Sequence, residues 1–251
     1  MDGWKHAWVT GASTGIGAEL VKRLAARGVA VSASARSADK LEDLAQASAQ
    51  ISARTVDVTD AAAMTSTAAD AESEHGPIDL AILNAGIWLQ SAGRPYDGTA
   101  AKTSMDINYL GVTNALAAVL PGMVERRRGH IVIVASVAGY RGMPNAAHYA
   151  PTKAALISLA ECLHAELARK GIKVQVVNPG FVKTPMTDVN KFPMPFLMSV
   201  DGAADRIMDG LVSSRFEITF PWKLVVLLKL LRILPYRLYF AFASRLLPSK
   251  K

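Results

Sequence analysis

A short apolar run, Ala7-Trp8-Val9-Thr10, breaks into Gly11-Ala12-Ser13-Thr14-Gly15-Ile16-Gly17 and passes at once into a helix-forming stretch over 18–27. Few stretches constrain a fold so strongly. A buried strand that turns through glycines into a helix sets the helix's free N–H groups and positive end beside the strand end. Glycines there let the backbone approach a pyrophosphate closely. The spacing Gly11-xxx-Gly15-x-Gly17 differs from the common G-x-G-x-x-G fingerprint. Two readings are open here: a phosphate-binding loop, or a turn whose glycines are only structural.

The pattern repeats. Sequence predicts strands over 29–34, 51–56, 78–83, 130–135 and 172–177, and helices over 38–49, 60–74, 100–120 and 145–170. Pro121-Gly122 reads as the stop of the third of these helices. Strands alternating with helices imply an α/β fold, a doubly wound Rossmann-type domain around a parallel sheet with right-handed crossovers. The 251 residues suit one such domain over 1–220, with a basic amphipathic helical extension over 221–251. Ligands of such sheets bind at the carboxyl ends of the strands. Gly11, Arg36, Asp57, Asn84, Ser136 and Pro179-Gly180 all fall at those ends.

Several of these positions suggest chemistry. A fold of this kind that prefers NAD often has an acid about 20 residues beyond the glycines, on the ribose 2′-hydroxyl. This chain has Ala35-Arg36, and a guanidinium suits a 2′-phosphate, so NADP(H) is expected ahead of NAD(H). A plain surface arginine is the other reading. Asp57-Val58 and Asn84-Ala85-Gly86 sit where a cofactor would lie, although Asp and Asn also cap turns. Tyr149 and Lys153, four apart on the last predicted helix, share one face. An ammonium one turn away is expected to lower the phenol's pKa, making it an acid–base group.

Charge is uneven. Residues 215–251 hold eight of the 28 Lys and Arg but one of the 21 acids, Glu217, so the preceding part is neutral. A nucleic-acid reading of the whole domain therefore has little support. The only cysteine, Cys162, excludes an internal disulfide framework and reads as a small core residue, fitting a reducing, cytoplasmic compartment. No cluster of His, Cys and Asp suggests a metal. The start, Met1-Asp2-Gly3-Trp4, carries no apolar signal segment.

Taken together these motifs resemble the short-chain dehydrogenase/reductase family. The match runs in order: T-G-x-x-x-G-x-G at 10–17, D-V at 57–58, N-A-G at 84–86, Asn108, Ser136, Y-x-x-x-K at 149–153 and P-G at 179–180. Leu83, where many members have a second Asn, and Pro151 inside Y-x-x-x-K are small departures. The resemblance implies an oxidoreductase whose catalytic group is Asn108, Ser136, Tyr149 and Lys153. It implies direct hydride transfer, with Tyr149 exchanging the substrate proton, Lys153 holding the ribose, Ser136 bonding the substrate oxygen and Asn108 positioning a water. It implies cofactor contacts from Gly11, Ser13, Thr14, Gly15, Ile16 and Gly17. Further contacts would come from Asp57 and Val58 beside the adenine, Asn84, Ala85 and Gly86, Pro179, Gly180 and Val182, with Thr184 at the carboxamide. Assembly as a homodimer or homotetramer is also implied.

The segment 184–200 is the expected substrate flap. Met186, Phe192 and Phe196, with Trp88 and His148, would cover a lipophilic ketone, aldehyde or secondary alcohol; an ordinary hydrophobic flap is the other reading. In the extension, charges interrupt the apolar residues too often for the ~20 needed to span a bilayer. Lys229 with Arg232, and Arg237 with Arg245, are expected to share helix sides, with Pro235 between two segments. That arrangement suits peripheral contact with the inner face of a membrane, or packing on a neighbouring subunit. A non-catalytic NADP(H)-binding protein that docks through its tail is the alternative to an enzyme. The Ser136-Tyr149-Lys153 set argues against it.

Overall fold

A computed structural model describes residues 3–90, 96–190 and 192–246. Lys191 of the expected flap, Lys250 and Lys251 of the basic extension, and Met1-Asp2 lie outside the described residues.

In chain order the elements are β1 (His6–Thr10), α1 (Gly15–Ala25), β2 (Ala30–Ala35), α2 (Ala38–Gln46), β3 (Ile51–Thr55), α3 (Ala61–His75) and β4 (Leu80–Leu83). Then come α4 (Gly98–Met105), α5 (Gly111–Arg126), β5 (Gly129–Val134), α6 (Ala150–Leu167) and β6 (Ile172–Pro179). The chain continues with α7 (Pro185–Asp188), α8 (Val200–Leu211), β7 (Glu217–Phe220), α9 (Trp222–Ile233) and α10 (Tyr236–Ala243). The strands form one parallel sheet in the order β3-β2-β1-β4-β5-β6-β7, the doubly wound Rossmann-type arrangement expected. Strand order reverses between β2-β1 and β4, and the crevice above that switch is where this architecture binds ligands.

Side chains leave a strand on alternating faces. In β1, Ala7 and Val9 join one core, with Leu20 and Leu24 of α1, Leu41 of α2 and Met208 of α8. Trp8 joins the opposite core, with Met64 of α3, Val119 of α5, Leu156 of α6 and Leu228 of α9. Both sheet faces are covered, which is why the strands read as continuous apolar runs.

The structure departs from the sequence expectation in several places. Pro121 does not stop its helix: it lies inside α5, which runs on to Arg126. Val119 and Met123 are buried on the sheet around it, and that packing outweighs one missing N–H. Between α4 and α5 the helix widens into a π turn over Asp106–Leu110, centred on Asn108. Helix α6 begins only at Ala150, Asn145 with φ 65° lies outside it, and Pro151 sits harmlessly in its first turn. Cys162 is exposed, on the outer side of α6. β7 and α8 had no counterpart in the sequence reading.

The helix Gly98–Arg126 is long and apolar enough to cross a membrane by length and composition, but its Val112, Ala115, Val119 and Met123 are core residues. Pro235 separates α9 from α10 as expected. Leu224, Val225, Leu228 and Leu231 of α9, with Tyr239 of α10, are buried in the sheet core. Trp222, Val226, Leu227, Leu230, Ile233 and Tyr236 point the other way and are exposed.

Candidate active site

The cradle starts from three glycines. Gly11 and Gly15 hold φ of 65° and 57°, the left-handed region that favours glycine. A Cβ on Gly17 would lie 2.3 Å from the Gly11 carbonyl oxygen, so α1 can pack this close to the β1 turn only without a side chain there. No side chain caps α1, and Thr14, Gly15 and Ile16 line a cleft of about 340 Å³ at the carboxyl ends of the strands. Asn84 fixes the turn to β4: its Nδ2 donates to the carbonyls of Thr10 (3.1 Å) and Gly11 (3.0 Å), while Thr10 Oγ1 accepts from the Asn84 and Ala85 amides.

Arg36 leaves the end of β2 with its side chain 65% exposed, 3.9 Å from Asp57. Beside it Ser37, at the start of α2, makes no capping bond with its hydroxyl. Asp57 accepts from the Thr59 amide and hydroxyl, both at 2.9 Å. The amide bond foremost, then the hydroxyl and Arg36, hold its carboxyl below the usual carboxylate range. A cleft with an open helix start at one point and a largely exposed guanidinium, only loosely paired with Asp57, at the next fits a phosphorylated dinucleotide.

Further along the cleft lie Ser136, Tyr149 and Lys153. Ser136 follows β5, where its Oγ accepts from the Ala138 amide at 3.1 Å. Tyr149 stands one residue before α6, and Lys153 one turn into it. Lys153 Nζ donates to the Val134 carbonyl at 2.9 Å and lies 5.6 Å from the Tyr149 ring centre. Burial lowers its pKa to about 8. Burial likewise pushes Tyr149 up to about 12, and its hydrogen bond with Ser136 pulls the other way. The expected lowering of the phenol by Lys153 is therefore corrected for the protein alone. The ammonium is directed at a carbonyl, and desolvation governs.

Asn108 is fully buried in its π turn. Its Oδ1 accepts from the Ile87 amide (2.7 Å), and its Nδ2 donates to the Ile87 carbonyl (3.0 Å) and Thr152 Oγ1 (3.1 Å). A π turn shifts the backbone bonding register, a feature often met at functional sites. Gly86 leaves room beside it, since a Cβ there would meet Asn108 Oδ1 at 3.1 Å and Lys153 Nζ at 3.5 Å.

Of the expected cofactor residues, Gly11, Ser13, Thr14, Gly15, Ile16, Arg36, Asp57, Val58, Asn84, Ala85, Gly86, Pro179, Gly180, Val182 and Thr184 all line the cleft. Gly17 and Asn108 lie behind its wall. Among the expected substrate residues only Met186 and Ser136 line it. Trp88 stands edge-on to Tyr149, centres 4.9 Å apart, and donates to Asn190 Oδ1 at 3.0 Å. Phe192 and Phe196 are exposed outside it. His148 does not line the cleft: it is buried, with Nε2 toward the Asp97 amide and its ring against Tyr96. Sequence reasoning missed Ser37, Ile87 and Thr187, which line the cleft, and Thr152, which braces Asn108. Ser37 was findable as the polar residue after Arg36 at a helix start; Ile87 and Thr152 act through tertiary contacts alone.

Comparison with known proteins agrees with this fold. Residues 5–192 match the family model described as short chain dehydrogenase. A protein named as an uncharacterized oxidoreductase from Myxococcus xanthus is 39% identical over 97% of this chain and 98% of its own. Among solved structures, a short chain dehydrogenase from Burkholderia cenocepacia in complex with NADP is 28% identical, with a TM-score of 0.83 over 99% of both chains. An actinorhodin polyketide ketoreductase variant with NADPH is 27% identical, with a TM-score of 0.77 over 87% of this chain and 96% of that one. The chain belongs to the short-chain dehydrogenase/reductase family and is an oxidoreductase of that type.

Proposed function

We propose that the protein is an NADP(H)-dependent oxidoreductase acting on a lipophilic ketone, aldehyde or secondary alcohol, with Tyr149 as general acid and base. The observation that carries this is the meeting of Ser136, Tyr149 and Lys153 on the same cleft wall as the glycine cradle and Arg36. When bound, the nicotinamide dinucleotide supplies or accepts the hydride. Arg36 and Ser37 would hold the 2′-phosphate, Asp57 and Val58 the adenine end, and Thr184 the opposite end. Ser136 would donate to the substrate oxygen as charge grows on it. Tyr149 would give that oxygen its proton in reduction or remove it in oxidation. Lys153 would hold the ribose and, once turned from the Val134 carbonyl, favour the phenolate. Asn108 would keep its π-turn backbone oriented toward a water on the proton path. NADPH oxidation measured against steroids, fatty aldehydes and 3-keto lipids tests the reading. Tight NADPH binding with no turnover of any carbonyl would favour a non-catalytic binding protein.

A second part of the reading concerns the extension from residue 221 on. The outer face of α9 exposes Trp222, Val226, Leu227, Leu230 and Ile233, and nothing among the described residues covers it. Lys223 and Arg232 of α9, Arg237 of α10 and Arg245 beyond it are exposed, and residues 221–251 contain no acid. Lys229 is paired with Glu217. This chemistry favours an anionic lipid surface, worth about 1 kcal/mol per nearby basic group besides apolar burial. The protein should co-sediment with anionic liposomes, less with neutral ones, and wash off only partly in high salt. Binding to neither, with a dimer or tetramer in solution, would assign the face to a second subunit.

A further inference from the structure

Between Ser136 and Tyr149 the chain has one short 3-10 turn, Val137–Gly139, and then no regular element until α6. A segment so irregular needs outside support to keep the two residues at a fixed separation. Three consecutive residues find it in the last part of the chain. The Tyr140 hydroxyl donates to Glu217 Oε1 at 2.5 Å, and Glu217 in turn pairs with Lys229 of α9. Arg141 Nη1 donates to the carbonyls of Leu231 (2.5 Å), Arg232 (3.0 Å) and Leu234 (2.8 Å). The Gly142 carbonyl accepts from the Tyr239 hydroxyl of α10.

Arg141 is the centre of this contact. At the end of α9 the Leu231 carbonyl accepts only a long bond from the Leu234 amide (3.3 Å), and the last carbonyls carry the negative end of the helix dipole. A guanidinium meets both needs with fixed, planar donors. It also lies over two rings of the next helix, 3.9 Å from the Tyr239 centroid and 5.1 Å from that of Tyr236. From the opposite side the segment meets α6: a Cβ on Gly139 would fall 2.7 Å from the Lys153 carbonyl carbon. The segment thus contacts α6 through Gly139 and the last part of the chain through residues 140–142. We propose that Arg141 is a positioning residue through which α9 and α10 hold the Ser136–Tyr149 segment in its working geometry.

The inference rests on the oxidoreductase reading for its kinetic readout, and hydrogen exchange supplies one that does not need turnover. In the NADPH-bound protein, Arg141→Met should speed amide exchange of the peptide 137–149 about tenfold or more, while β1 to β4 exchange as before. With any substrate found in the carbonyl panel, kcat should fall roughly 10- to 100-fold, the scale of a small misplacement of reacting groups, with NADPH affinity within about twofold. Arg141→Lys keeps the charge but not the fork and should recover part of both effects. Tyr239→Phe, which removes only the Gly142 bond, should move them the same way by less. If Arg141→Met fails to fold, these two variants decide. Unchanged exchange over 137–149 in a folded variant would overturn the proposal, as would a kcat that falls only in step with the folded fraction. A panel without any substrate sinks the oxidoreductase reading instead, and the exchange result still stands.

Discussion

Toward the amino end of the sheet, His6 is fully buried with Nδ1 on the Gly76 carbonyl (2.8 Å) and Nε2 on Ser32 Oγ (3.0 Å). His130 meets Gln175 Oε1 at 2.8 Å, and Gln175 Nε2 goes on to the Gly210 carbonyl at 3.1 Å. Toward the carboxyl end the same kinds of residue keep bonding capacity open. The start of α1 is uncapped, Arg36 reaches into solvent, and burial moves Tyr149 and Lys153 away from their charged forms. At one end most polar groups bond to neighbours, His130 Nδ1 excepted; at the other, several keep capacity open for a ligand. Disturbing the first should cost stability, and disturbing the second should cost turnover or binding.

The sharpest break is Tyr149→Phe. It removes only the phenolic hydroxyl and should lower turnover about 10²–10⁴-fold or more, with NADPH binding and melting temperature nearly unchanged. Steady-state kinetics beside a melting curve check it, and near-wild-type turnover would sink the assignment.

The opposite end should answer to acid. Burial, with Lys173 nearby, lowers the His130 pKa to about 3, against 6.5 for the free side chain. The unfolded state therefore takes up this proton first as pH falls. Stability from this site is full above pH 6.5 and lost progressively toward pH 3, by up to about 5 kcal/mol. Urea unfolding at pH 7 and pH 5 should show the loss, and His130→Gln should flatten it. An identical slope in that variant would place the acid sensitivity elsewhere.

The mildest change tests the cofactor end. Arg36→Asp reverses charge at the expected 2′-phosphate position and should weaken NADPH about tenfold or more relative to NADH. Fluorescence titration with both nucleotides decides it; an unaltered preference would move the phosphate to other residues.

What could be read in advance follows from how local each signal is. The glycine turn, the strand–helix alternation and the Tyr149–Lys153 spacing are written within a few residues of one another, and the fold and most of the cleft wall follow from them. β7 is four residues, Glu-Ile-Thr-Phe, too short for a period to show, and it is a strand because β6 offers an edge. The direction of the Tyr149 shift depends on how much protein closes over the ring, which no spacing encodes. His148, beside Tyr149 in sequence, turns away, whereas Arg141, eight residues earlier, matters through partners 90 or more residues downstream.

That separation has a bearing on biosynthesis. The glycine cradle is complete once β1, α1 and β4 have left the ribosome, all within the first third of the chain. The segment that fixes Ser136 and Tyr149 has no counterpart to clasp until α9 and α10 emerge. The glycine turn would thus form early in the life of a nascent chain, the far cofactor wall with Lys153 and Thr184 later, and the proton-transfer loop would settle last.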